Sequence, residues 1–278
     1  MPKRIAFMPV NTYPEAAPDA AVLATIGFAS SLGCALHVST MSVEVPKTVS
    51  PIGGLLINVE AMAQAAEDRS MAECARLQAL IKGASRPDLD LSLTTHRVVL
   101  GAAPDTAAIE ARLFDLALLP WSAETVSAQD TAQAVVFGAG VPTIIVPESA
   151  RTATIDRIAI AWDGSRVAAR ALCDALPLLP DGGHISVVTV EGEKKLAGSA
   201  TAQALAASLQ RRGYNASAAT IALGGRPIAE ALQAAALSEG AKLMAMGGFG
   251  HSRLRDFILG GATMGVFSDL RMAVLLSH

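Results

Sequence analysis

Two stretches of the sequence carry residue types that could do chemistry. The first is Gly247-Gly248-Phe249-Gly250, followed after nine residues by Gly260-Gly261-Ala262-Thr263. Glycine lets a backbone approach a phosphate closely and aim its N–H groups at it. A helix starting near Gly261 would add unpaired N–H groups and a positive dipole end. The same glycines would also serve a pair of tight turns, and local pattern alone leaves both readings open. His251, Arg253 and Arg255 lie within this segment, either close to a bound anion or simply solvated. The second stretch is Ala161-Trp162-Asp163-Gly164-Ser165. A carboxylate at the end of a strand can accept a hydrogen bond from an amino group. Asp163 or Ser165 could equally cap the helix expected from about Arg166.

The elements that must position these residues occur twice. Arg4-Ile5-Ala6-Phe7-Met8-Pro9-Val10 reads like Arg157-Ile158-Ala159-Ile160-Ala161-Trp162-Asp163. Alanine-rich helical stretches follow at 15–31 and 165–179, then apolar strands at 35–41 and 184–190. Gly101 to Pro104 parallels Gly224 to Pro227, a strand end running into a helix whose first turn tolerates proline. Further strands follow at 115–120 and 242–247, and each half closes on one, at 141–146 and 272–276. Strands alternating with helices predict a parallel, doubly wound α/β sheet with right-handed crossovers. The expected domains are 1–148 and 155–278, with an insertion near 43–58. In such sheets ligands bind outside the carboxyl ends of the strands, where Asp163 and Gly247 fall.

Together these motifs resemble the universal stress protein family. Gly247, two residues, Gly250, nine residues and Gly260 match its G-x-x-G-(nine)-G signature, with Gly261 where the family has Ser or Thr. Asp163-Gly164-Ser165 is similar to its strand-ending D-G-S. The resemblance implies two five-stranded sheets with helices on both faces (the adenine nucleotide alpha hydrolase-like fold), arranged as an internal pseudo-dimer. It implies ATP or ADP, with or without Mg²⁺, on the second domain only. Asp163 would accept from adenine, with Ala161, Trp162 and either Val188 or Thr189 around it. Met246, Gly247, Gly248, Gly250, His251, Arg253, Gly260, Gly261, Ala262 and Thr263 would follow the ribose and phosphates. The first half departs from the pattern: Val10 is matched to Asp163, and Pro120-Trp121-Ser122-Ala123 replaces the glycines.

Composition bounds the remaining classes. The 278 residues are 51% hydrophobic and 17% charged, with a net charge of −3 and only 4% aromatic residues. That argues against a nucleic-acid surface. No apolar run is long enough for a membrane span, and no signal peptide is visible, so a cytoplasmic setting is expected. Cys34, Cys74 and Cys173 show no metal or disulfide spacing, and Cys173 reads as a small core residue. The expected function is a nucleotide-binding stress-response module acting on an unidentified protein partner and forming a homodimer. An interaction scaffold without nucleotide and a slow ATPase stand as alternatives; no catalytic or metal residues are singled out.

Overall fold

The computed structural model describes residues 3–46, 59–150, 154–191, 200–248 and 266–278. The first half runs β1 (Ile5–Asn11), α1 (Asp19–Leu32), β2 (Ala35–Glu44), α2 (Val59–Ala84), β3 (Leu91–Val99), α3 (Ala103–Ala111), β4 (Leu116–Trp121), α4 (Val126–Gly138) and β5 (Thr143–Pro147). The second runs β6 (Arg157–Ala161), α5 (Arg166–Ala175), β7 (His184–Val190), α6 (Ala202–Arg211), β8 (Asn215–Ile221), α7 (Ile228–Ser238), β9 (Leu243–Gly247) and β10 (Ala273–Ser277). Helix α1 begins at Asp19 rather than at 15 because Pro18 biases the residue before it away from helical backbone. It stops at Gly33, whose φ of 63° lets its N–H turn back to the carbonyls of Ala29 and Ser30. Val43 and Glu44, expected in the insertion, extend β2 instead; residues 47–58 lie outside the described residues.

Among the described residues the strands join one ten-stranded sheet in the order β3-β2-β1-β4-β5-β10-β9-β6-β7-β8. Each half is a parallel, doubly wound sheet with its switch point between its first and fourth strands. The halves meet where β5 and β10 pair antiparallel, Ile144 opposite Leu275 and Ile145 opposite Val274. The central strands β5 and β10 are buried throughout, as strands covered on both faces must be, while the edge strands β3 and β8 are largely not. One core lies between the sheet and α1, α2, α5 and α6, and includes Met8, Leu77, Ile144, Ile160 and Leu275. The other lies beneath α3, α4 and α7, and includes Phe7, Val135, Ile145, Ala159 and Val274. Each core draws on both halves, so the interior is continuous across the β5–β10 seam. Among the described residues no helix is long and apolar enough to cross a membrane.

The ladders correct the alignment of the two halves. Asp115 N–H donates to Ile5 at 3.1 Å, and Lys242 N–H donates to Arg157 at 2.9 Å. Ala6 stands opposite Leu116, and Ile158 opposite Leu243. Ile5 is therefore the counterpart of Arg157, and Asn11, not Val10, is the counterpart of Asp163. Matching the basic residues Arg4 and Arg157 slips the alignment by one, which would turn every side chain of the strand to the wrong face. Phe7 and Ala159, paired by the corrected match, do share a face.

Cys173 is also corrected: it is exposed. Helix α5 buries Val167, Ala168, Ala171, Leu172 and Ala175, and Cys173 falls outside that stripe. Cys34 and Cys74 are buried, and burial raises both thiols above their ordinary range. A thiol reagent is therefore expected to titrate one cysteine per native chain quickly and the other two only on unfolding. Leu275→Ala should lower stability by about 2–5 kcal/mol. Denaturant melts of that variant, followed by far- and near-ultraviolet circular dichroism, should show both halves unfolding in one transition; two separated transitions would contradict a shared core.

Candidate functional site

At the switch point of the second half, β6 and β9 diverge from each other beyond their carboxyl ends. Strand β6 ends at Ala161, and the chain turns through Gly164, whose φ of 71° suits a residue without a Cβ. Asp163 Oδ1 accepts the Ser165 N–H at 3.0 Å across that turn. Ser165 then caps α5, its hydroxyl accepting from Ala168 N–H at 3.2 Å. The cap thus belongs to Ser165, and the Asp163 carboxylate stands at the strand edge ahead of the helix. The strand end itself is pinned. Trp162 N–H donates to the Val188 carbonyl at 2.8 Å, and the Thr189 hydroxyl donates to the Trp162 carbonyl at 2.8 Å.

Alternation along the strands sorts the side chains. Ala161, Val188 and Met246 lie together on the α7 side of the sheet. Trp162 points to the opposite face, where its indole N–H donates to the Ala200 carbonyl at 2.9 Å. Trp162 is therefore set apart from the apolar wall that the other three form. Gly247 ends β9 beside Ser277 of β10. A Cβ on Gly247 would sit 2.5 Å from Val167 Cγ2 and 2.8 Å from the Ala168 nitrogen. The first turn of α5 rests on that glycine, so packing alone requires it. Gly248 donates its N–H to Ser277 at 2.8 Å, and its carbonyl lies 3.0 Å from His278 Nδ1. Gly250, His251, Arg253, Gly260, Gly261, Ala262 and Thr263 lie outside the described residues.

The corresponding crevice of the first half is filled by protein. Asn11, in the place of Asp163, donates through Nδ2 to the Ser127 carbonyl at 3.0 Å and to Thr131 Oγ1 at 2.7 Å. These bonds draw the start of α4 over the ends of β1 and β4. Trp121 takes the place of Gly248 and is 3% exposed, which closes the space a glycine would leave. Asn11 Oδ1 and Trp121 Nε1 are buried with no hydrogen-bond partner among the described residues. Asn11 escapes a reading of the sequence because only the strand register identifies it.

Compared by sequence, the chain matches no family model and no curated protein. Compared by structure, it is similar to a universal stress protein from Archaeoglobus fulgidus DSM 4304, with a TM-score of 0.69 and 15% identity over 98% of this chain and 97% of that one. It is also similar to a protein assigned to the universal stress proteins from Pseudomonas aeruginosa UCBPP-PA14, with a TM-score of 0.51 and 14% identity over 99% and 93% of the two chains. A third likeness is to a protein of unknown function from Pseudomonas aeruginosa PAO1, with a TM-score of 0.50 and 15% identity over 98% and 92%. At these identities the likeness shows the fold, which is that of full-length universal stress protein chains.

The packing at Gly247 gives a direct test. Gly247→Ala should destabilise the protein by about 1–3 kcal/mol, because the α5 turn must move off the strand. Ser165→Ala should cost about 1 kcal/mol through the lost cap. Urea unfolding measures both; an unchanged midpoint for Gly247→Ala would show that α5 is not seated on β9.

Proposed function

We propose that this chain is a tandem universal stress protein whose second half binds ATP or ADP, and whose first half is a partner domain without a nucleotide site. The observation that carries the reading is the place of Asp163 just beyond the end of β6, where its Oδ1 accepts the Ser165 N–H while Ser165 caps α5. Ser165 supplies the cap of α5, and a carboxylate at the edge of β6 has the chemistry to accept an adenine amino group, with Ala161, Val188 and Met246 as an apolar wall on the α7 side of the sheet. The switch point is where open α/β sheets take ligands. The glycine spacing that begins at Gly247 supplies the residue types for ribose and phosphates. In the first half, Asn11 is committed to α4 and Trp121 stands where a glycine would be, which supports a single site per chain. The function we infer is regulatory: occupancy alters the surface offered to a protein partner, in a cytoplasmic setting, with a homodimer as the assembly.

A second reading, a scaffold that binds no nucleotide, is favoured by one observation. Gly247 has a steric reason to be glycine that involves no ligand.

Mass spectrometry of small molecules released on denaturing the purified protein separates the two. ATP or ADP near one per chain, lost in Asp163→Ala with the secondary structure intact, is the expected result. Absence of nucleotide, together with no retention of added ATP and Mg²⁺ in equilibrium dialysis, would favour the scaffold.

A further inference from the structure

Trp162 stands one residue before Asp163, and every polar group it has is committed. Its backbone N–H donates to the Val188 carbonyl at 2.8 Å. Its carbonyl accepts from the Thr189 hydroxyl at 2.8 Å. Its indole N–H donates to the Ala200 carbonyl at 2.9 Å. Ala200 precedes Thr201, the N-cap of α6, whose hydroxyl accepts the Ala204 N–H at 3.1 Å. The Thr201 carbonyl takes the Leu205 N–H at 3.0 Å and so begins the ladder of α6. The indole thus binds a carbonyl just ahead of that ladder and ties the start of α6 to the end of β6. Its ring is half-buried against the core on that face of the sheet.

The first half supplies an internal comparison. Ile5 is the counterpart of Arg157, Ile5 pairs with Ala35, and Arg157 pairs with His184. Val10 is therefore the counterpart of Trp162, and Thr40 that of Thr189. Val10 is a buried aliphatic residue with no side-chain donor. The Thr40 hydroxyl turns away from β1: it lies 3.0 Å from Thr95 Oγ1 of β3 and accepts from Gln78 of α2 at 3.0 Å. There the ladder continues, with Val10 opposite Thr40 and Asn11 opposite Met41. In the second half the described ladder between β6 and β7 ends with Ala161 opposite Val188. Asn11 is a strand residue, whereas Asp163 lies past the ladder, in the turn to α5. Just ahead of that turn, the halves differ by the bonds that join Trp162 to Thr189 and Ala200.

We propose that Trp162 is a positioning residue for the nucleotide site of the second half, with Thr189 as its partner, acting on Asp163 through the backbone they share. This rests on the reading that the second half binds nucleotide. The indole, fixed on α6, and the carbonyl, fixed on β7, set where the chain leaves the sheet and so where the Asp163 carboxylate stands. By strand alternation Trp162 and Thr189 lie on the α6 side, opposite the wall of Ala161, Val188 and Met246, and neither side chain touches the ligand. A carboxylate gains from an amino group only at hydrogen-bond distance and alignment, so a small shift of the strand end is felt as affinity.

Thr189→Val removes the hydroxyl at nearly constant shape, Thr189→Ser keeps it, and Trp162→Phe removes the indole donor. ADP binding with Mg²⁺ is measured by equilibrium dialysis on the full chain, with folding of each variant checked by circular dichroism. Thr189→Val and Trp162→Phe should each weaken ADP binding about three- to tenfold, as loss of one hydrogen bond implies, and Thr189→Ser should bind as the parent does. The chain has two tryptophans, Trp121 and Trp162. The indole N–H resonance that disappears in Trp162→Phe should shift on titration of the parent with ADP, at the midpoint that dialysis gives. If Thr189→Val and Trp162→Phe fold and bind as the parent does, the proposal is overturned and the nucleotide reading stands. A loss in only one of the two points to that side chain touching the ligand itself, and overturns it as well. So does a Trp162 resonance that stays fixed, or a loss of affinity that Thr189→Ser shares with Thr189→Val. Should Trp162→Phe not fold, the two Thr189 variants decide alone. If the parent binds no ADP, both readings fall together.

Discussion

Strands β5 and β10 run antiparallel in a sheet whose other neighbours are all parallel, and the rest of the architecture depends on that seam. Parallel βαβ units cannot close their own last edge; the final strand of each half would leave a row of unpaired N–H and C=O groups. Pairing Ile144 with Leu275 removes both edges at once and lets the two cores run through the seam on each face of the sheet. It also fixes where the two switch points fall. Because the halves face opposite ways, the carboxyl end of β9 comes beside the end of α4, and the carboxyl end of β4 comes beside Phe267. Each half therefore borders the other's ligand end.

Given that seam, small residues decide how the elements close up. Gly247 lets the first turn of α5 lie directly on β9, which places the Ser165 cap and the Asp163 turn at the mouth of the crevice. In the first half the same geometry is spent differently. Asn11 is one hydrogen-bonding atom away from Asp163 in chemistry: its amide donates where a carboxylate cannot. That donor finds the Ser127 carbonyl and the Thr131 hydroxyl and draws α4 inward. Asn11, bonded to α4, and Trp121, buried in place of a glycine, together close the first half's crevice, whereas the second half has Asp163 and Gly248 at those positions.

The repeat, the fold class and the position of the switch point were legible because apolar periodicity and the Gly-Pro turns survive in both halves. Asp163 and Gly247 were legible as a pair because each lies at a strand end flanked by turn residues. What escaped were features that depend on registers and faces. Arg4 and Arg157 look alike, yet the true partner of Arg157 is Ile5, and only the hydrogen bonds of Asp115 and Lys242 reveal it. Cys173 sits among apolar neighbours in sequence, but a helix turns one position by about 100°, enough to carry it out to solvent. The role of Gly247 in seating α5, and the meeting of Trp121 with Phe267, join segments that no local pattern links.

The tandem arrangement is what permits the asymmetry. In a symmetric dimer of single domains, every substitution appears at both copies of the seam. A tryptophan in place of Gly248 would then fill both crevices, and an asparagine in place of Asp163 would remove both carboxylates. With two halves in one chain, Trp121 and Asn11 can alter one crevice while Gly248 and Asp163 remain in the other. The halves keep the pseudo-twofold seam, since β5 and β10 contribute alike to both cores, but diverge at the residues that border it. The large aromatic pair on one side and the glycine–valine pair on the other fill unequal volumes around one axis. The first half thus meets Gly248 with Val136 and Phe267 with Trp121, so the two copies of one contact differ in size although the strands that carry them are related by the seam.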